Sequence, residues 1–303
     1  MPKQRKPTTN PKPEMHEIVL SLDERNLAHV LTALALASIA DALDPLHPHS
    51  RCCWAEDGFK LLMPQTKAEL FAGAHDFIKS MAWVEGIGAN EKCEVKASPH
   101  HGLFTAKGGH SGNPLLSYHD QGITSSVFKT FSGQQSPATP LEQQQNSLEL
   151  PTQASDWLFQ RGLGVTSWKF DCRVASHAYD LGFGSNEDQS RDRDPSYPAI
   201  ELLSIAGAAF FAGPQAWLYE PGTLHCRIWT EPLPFALASL AVTFQVPDAL
   251  KLSKLSPEDL GRVLEETSTL NGIGGRFYTF STRGNAYGKG AAYRHFPEAT
   301  LIK

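Results

Sequence analysis

The stretch "HHGLFTAKGGHSGNPLLSYHD", His100 to Asp120, gathers four histidines, a lysine, two serines and an aspartate around a glycine pair. Three chemistries compete for it. A metal centre needs donors on converging, rigid elements. His101, His110 and His119 recur every nine residues, which fits neither a helix nor a strand, and neither HExxH nor HxH occurs. His177, His225 and His295 add donors that nothing in the sequence brings together. No metal is expected. A serine hydrolase needs its nucleophile on a strand-to-helix elbow of the form G-x-S-x-G. In "GGHSG" Ser111 is followed directly by Gly112 and no buried strand leads in, so Ser111 is not read as a nucleophile. "AKGGHSGN" also lacks the spacing and following helix of a phosphate-binding P-loop. The third chemistry is a glycine-rich loop whose backbone N–H groups contact phosphates or base edges, helped by Lys107, His110 and Asn113.

Charge distribution favours that third chemistry. The net charge of the 303 residues is -5, which announces no nucleic acid by itself. The cations are unevenly spread, however. Residues 1–15 hold Lys3, Arg5, Lys6 and Lys12 against Glu14, and residues 96–135 hold Lys96, Lys107 and Lys129 against Asp120. Residues 271–303 hold Arg276, Arg283, Lys289, Arg294 and Lys303 against Glu298. The remainder is therefore more acidic than the whole, and the basic stretches suit a local binding face. The last of them, "GIGGRFYTFSTRGNAYGKGAAYRHF", interleaves Arg276, Arg283, Lys289 and Arg294 with Phe277, Tyr278, Phe280, Tyr287, Tyr293 and Phe296. Cations bind phosphates and aromatic faces stack bases. The plainer reading is a strand "RFYTFS" with core aromatics and a glycine loop after it, and alternate strand residues allow both.

The elements that position these residues follow from periodicity. "EIVLSL" predicts a first strand. "NLAHVLTALALASIADAL" predicts a helix capped by Asn26, apolar nearly all round and therefore buried. "GFKLLMP" is strand-like, and "TKAELFAGAHDFIKSMAW" predicts a helix with Thr66 and Glu69 in capping-box register. Residues 132–156, rich in Gln, Ser and Pro without apolar period, predict a flexible linker or long loop. "WKFDCRV" reads as a strand. After the polar break "GSNEDQSRDRDPS", "YPAIELLSIAGAAFFAG" predicts a second buried helix, with Pro198 in its first turn and Gly213-Pro214 stopping it. "TLHCRIWTEPLP" and "LAVTFQV" alternate as strands do, and "SPEDLGRVLEETSTL" predicts a helix. Each half shows an alanine-rich helix, a tryptophan (Trp54, Trp217) and a strand, a faint internal echo.

Elements that mix without strict alternation predict an α+β fold, with mainly antiparallel sheets, packed helices and two interleaved halves. The expected organisation is a disordered basic tail over 1–15, an N-terminal half over 16–131, the linker over 132–156 and a C-terminal half over 157–303. Cys52, Cys53, Cys93, Cys172 and Cys226 are odd in number and form no CxxC, so reduced, mostly buried thiols in a cytoplasm are expected. "LTALALASIADAL" is too short to span a bilayer and is broken by Asp41.

Four segments together resemble one family: "VLSLDERNLAHVLTALALASIADAL", "FKTFSGQQSP", "WKFDCRVASHAYDLGFGSNE" and "YPAIELLSIAGAAFF". The family is the small version of the large subunit in type I-G (formerly I-U) CRISPR Cascade-type complexes. The resemblance runs in patches from about Glu17 to Phe296. Its most specific parts are the Gly-Gln-Gln-Ser run and "YPAIELL", and neither is a catalytic signature. It implies a non-enzymatic subunit of an RNA-guided antiviral complex, without cofactor. Such a subunit sits near the 5′ end of the guide RNA and helps recognise target DNA beside the protospacer. There, pairing reads sequence while protein loops read backbone and a short flanking motif. The implied partners are guide RNA, target DNA, the backbone and guide-end-capping subunits and a helicase–nuclease recruited later, with no membrane. Lys129 and Gln134 of the resembling "FKTFSGQQSP" join the nucleic-acid-binding candidates. A different class stays open: a guide-RNA-processing ribonuclease or other hydrolase using His110, His119 or His225, since metal-independent RNA cleavage needs little more than a histidine and a cation.

Overall fold

The computed structural model describes residues 14–43, 50–85, 102–106, 116–118, 138–151, 156–162, 171, 196–208, 223–243, 274–281, 283–287, 291–295 and 299–301. Strand β1 (His16–Leu20) turns inward with Ile18 and Leu20 and outward with Glu17 and Val19. Helix α1 (Leu27–Ala42) follows, and the Asn26 side chain accepts the Ala28 N–H at 3.1 Å, as its position before the helix predicts. Every residue from Leu27 to Ala37 is buried. Strands β2 (Arg51–Ala55) and β3 (Gly58–Met63) form a hairpin. At Gly58, φ is +126° and an added Cβ would lie 2.3 Å from the Leu20 carbonyl oxygen, so only glycine fits. The sheet order is β1-β3-β2, and β3 is antiparallel to both neighbours. Thus β1–α1–β2 is a split βαβ unit.

Helix α2 (Lys67–Lys79) opens with the capping box read from the sequence. The Glu69 carboxylate accepts from Thr66 N–H and Oγ1 at 2.8 Å each, and Thr66 Oγ1 accepts the Glu69 N–H at 3.3 Å. Those bonds, the Thr66 backbone one foremost, lower the Glu69 pKa below its ordinary value. A lowered carboxylate pKa stabilises the fold above the unfolded-state value, and that stabilisation is lost as pH falls through the folded-state one. Thr66→Ala is therefore expected to cost about 1 kcal/mol in urea denaturation at neutral pH, and less in acid.

Strands β4 (Ala82–Glu85), β5 (Gly102–Thr105) and β6 (Leu116–Tyr118) form a second antiparallel sheet in that order. The segment read as a linker contains helix α3 (Ala138–Ser147), which corrects that reading over its span. Its buried residues are Pro140, Leu141 and Gln144, so an amide shares its inner face. Gln144 Nε2 donates to Ser196 Oγ at 2.8 Å, and Gln145 Nε2 donates to the Ile78 and Met81 carbonyls at 2.7 and 2.9 Å, just where α2 ends. A 3₁₀ turn (Trp157–Phe159) sets the Trp157 ring against Phe71, with centroids 5.4 Å apart, and Phe159 against His29 at 5.7 Å.

Helix α4 (Pro198–Ala208) is buried along its whole length and packs on α1. Thr32 Oγ1 donates to the Ile200 carbonyl at 3.2 Å, and Ser204 Oγ lies 2.9 Å from the Ala28 carbonyl oxygen. At the closest approach, a Cβ on Gly207 would fall 1.9 Å from the Leu31 carbonyl oxygen. The third sheet has the order β11-β8-β7, from strands β7 (Thr223–Trp229), β8 (Gly275–Ser281) and β11 (Thr300–Leu301), again antiparallel. Between β7 and β8 stands helix α5 (Phe235–Thr243), which overturns the strand expected at "LAVTFQV" over residues 240–243. Ala238, Ala241 and Val242 are buried at helical spacing, and that period prevails over the local alternation. Strands β9 (Arg283–Tyr287) and β10 (Ala291–His295) form a separate two-stranded ribbon where a glycine loop was expected.

The fold is α+β with antiparallel sheets. Cys52 of β2 and Leu233, which follows β7, exchange backbone hydrogen bonds of 2.8 and 2.9 Å. Trp217, the second tryptophan of the internal echo, lies outside the described residues. The tryptophan that answers Trp54 is Trp229, each on the strand after its buried helix and both against Phe59, at 5.2 and 6.1 Å. The strand at "WKFDCRV" (apart from Asp171), the helix at "SPEDLGRVLEETSTL", the Gly213-Pro214 stop and the basic tail also lie outside the described residues. Cys52 and Cys226 are buried free thiols and Cys53 is half-buried; Cys93 and Cys172 are not among the described residues. Among the described residues no helix is long and apolar enough to cross a membrane.

Candidate functional site

A polar cluster forms at the turn between β1 and α1, "DERN", Asp23 to Asn26. Its charges follow an inward strand and precede a buried helix, so the chain must bring them to the edge of the core. Asn26 accepts the Ala28 N–H through Oδ1 and donates through Nδ2 to Asp171 Oδ1 at 2.8 Å. His29, one turn into α1, accepts the Asp23 N–H at Nδ1, 2.8 Å away, which assigns the ring proton to Nε2. Nε2 faces Asp171 Oδ2 at 3.9 Å. A histidine oriented by a backbone N–H and facing an amide-held carboxylate has the parts of a general-base pair. Its side chains are 3% and 0% exposed. Through Asn26 and His29, the first turn of α1 is tied to Asp171.

Glu24 builds the other side of the turn. Its carboxylate accepts the Tyr278 hydroxyl at 2.6 Å and pairs with the Arg276 guanidinium. Both partners lie on β8, and the Ala299 N–H donates to the Arg25 carbonyl at 2.8 Å beside them. Burial first, then the bond to Glu24, raise the Tyr278 pKa to about 12. A raised pKa favours the fold below the unfolded-state value of about 10, and that contribution is lost as pH rises towards about 12. Glu24→Gln is expected to make Tyr278 ionise at lower pH, which tyrosinate absorbance in an alkaline titration measures.

The sequence candidates are placed as follows. Arg276 lies on β8 with its charge engaged by Glu24, so a phosphate there competes with a carboxylate. Arg283 and Arg294 lie on the β9–β10 ribbon, where Arg294 stands opposite Gly284. Neighbours along a strand point to opposite faces, so Arg283 and Arg294 belong to different faces of the ribbon. Lys107, His110, Asn113, Lys129, Gln134 and Lys289 lie outside the described residues, as do His101, His119 and His177. His225 sits in β7 opposite Thr279, and His295 in β10 opposite Arg283. No three histidines, cysteines or carboxylates converge as a metal-ligand set among the described residues.

The outward positions of the first sheet hold Glu17, Val19, Arg51, Cys53, Lys60 and Leu62. None is aromatic, because Trp54 and Phe59 point into the core. That sheet therefore offers bases no stacking platform on its open face. Sequence reasoning missed Glu24, His29 and Asp171. The signals were a charged run between two apolar elements and a lone histidine in an apolar helix. Compared with models of known protein families, with curated proteins and with solved structures, the chain matches none.

Proposed function

We propose that the chain is a non-enzymatic subunit of a type I CRISPR RNA-guided interference complex, working in the cytoplasm against foreign DNA. It contacts the 5′ region of the guide RNA and the motif flanking the target. The observation that carries this reading is the β9–β10 ribbon, a two-stranded sheet of its own whose strands carry Arg283, Arg294, Tyr287 and Tyr293. The CRISPR assignment comes from the resemblance. Two of its segments, the β1–α1 stretch and the α4 stretch, are the buried helices that pack on each other at Gly207, so the likeness concerns one packed unit.

Co-expression with the genes that neighbour its own tests the reading. The chain is expected to elute in a large ribonucleoprotein with guide RNA, the backbone subunit and the guide-end-capping subunit. Elution as a lone monomer without RNA, with all neighbours present, overturns it. Guide RNA that is left unprocessed only when His225 is replaced favours the ribonuclease reading instead.

A further inference from the structure

The register of the ribbon pairs Arg283 with His295, Gly284 with Arg294, Asn285 with Tyr293, Ala286 with Ala292 and Tyr287 with Ala291. Residues directly opposite in an antiparallel pair share a face, and faces alternate along each strand. Arg283, Asn285, Tyr287, Tyr293 and His295 therefore hold positions on one face, together with Ala291. Gly284, Ala286, Ala292 and Arg294 hold the other. We propose that the first face binds an unpaired nucleic-acid strand, with Tyr287 and Tyr293 as its base platforms and Arg283 as its phosphate contact. This rests on the nucleic-acid reading above and deepens it by naming the form of the ligand.

The partition of residue types argues for it. One face carries a cation, an amide, an imidazole and two phenols; the other is nearly all glycine and alanine. A face of that composition supplies what a single strand needs: rings for base faces and a cation for phosphate. Tyr287 and Tyr293 occupy successive cross-strand pairs, a diagonal of about 7–8 Å. Two adjacent bases splayed apart can each take one ring. Bases within a duplex are stacked on each other and offer a protein only their edges, so the rings select an unpaired strand. Other aromatics of the same stretch do different work, since Tyr278 and Phe280 are buried in the core. A lone two-stranded ribbon is marginally stable in water, so a ligand that covers its polar face also orders it.

The test uses the purified full chain and labelled oligonucleotides of about 12 nucleotides: single-stranded RNA, single-stranded DNA of the same sequence, and the DNA duplex. Anisotropy titrations over a salt series compare wild type with Tyr287→Ala/Tyr293→Ala, Tyr287→Phe/Tyr293→Phe and Arg283→Ala, with thermal melts as the fold control. The paired alanine variant is expected to lose single-strand affinity about 100-fold, roughly tenfold per ring, with an unchanged salt slope. The phenylalanine pair is expected to bind as wild type does. Arg283→Ala is expected to lower the salt slope by about 0.7. Binding of either sugar supports the proposal, because rings read base faces. Unchanged single-strand affinity in the alanine pair overturns it, as does an equal loss for duplex and single strands. A wild-type chain that binds no oligonucleotide yet enters the ribonucleoprotein overturns the ribbon assignment and leaves the subunit reading standing. A chain that fails in both experiments overturns both.

Discussion

Gly207→Ala is expected to destabilise the protein by about 3 kcal/mol, the upper end of the range for overpacking a core, and Gly207→Leu to leave no cooperative unfolding transition. The new Cβ would lie 1.9 Å from the Leu31 carbonyl oxygen, 2.5 Å from its carbon and 2.8 Å from its Cα. All three atoms are backbone of a buried helix, so no side chain can swing aside. Relief requires α1 and α4 to separate, which opens the Thr32 and Ser204 contacts between them. Gly73 supplies the control. It too lies within a helix, α2, but an added Cβ there would meet the Leu43 side chain at 3.2 Å, and that side chain can yield. Gly73→Ala is expected to be neutral or to stabilise by up to about 1 kcal/mol through helix propensity. Urea denaturation of the two variants side by side gives the comparison. Equal midpoints would show that the α1–α4 contact is looser than its geometry.

Trp229→Ala is expected to cost about 3–5 kcal/mol, the usual range for truncating a buried aromatic. Trp229 is fully buried, its ring meets Phe59 edge to face, and its Nε1 donates to the Cys52 carbonyl at 2.8 Å. Phe59 and Cys52 belong to the first half and Trp229 to the second, so the ring is a joint between halves. Trp229→Phe keeps most of the volume and loses the indole donor. The Cys52 oxygen still accepts the Leu233 N–H, so that variant is expected to cost only about 1 kcal/mol. Denaturant midpoints with constant slopes would confirm a stability effect without a change of fold.

Features with local causes were legible in the sequence. Asn26 and the Thr66–Glu69 box carry their own hydrogen bonds within a few residues, and an all-round apolar run such as α1 has nowhere to go but the core. Helix α3 was not legible because amides share its packing with Pro140 and Leu141: Gln144 and Gln145 reach Ser196, Ile78 and Met81, and a hydropathy pattern does not register a glutamine as inward-facing. Helix α5 was obscured by Val242 and Thr243, whose β-branches mimic a strand at its end. The ribbon was obscured by its own partition, since a strand with Gly284 and Ala286 on one side and Arg283, Asn285 and Tyr287 on the other shows no apolar alternation. Of the candidate site, the cations were visible in the sequence and their mutual placement was not. Nothing local indicates that Arg276 is engaged by Glu24, or that Arg283 and Arg294 stand on opposite faces.

The turn at Asp23–Asn26 also sets the order of assembly during synthesis. Glu24 emerges early, yet its partners Arg276 and Tyr278 lie 252 and 254 residues later in the chain. The Arg25 carbonyl waits longer still, for Ala299. Until those residues leave the ribosome, the nascent split βαβ unit holds a carboxylate without its cation. Closing so long a loop costs entropy before any contact repays it, which places the protein among slow, high-contact-order folders.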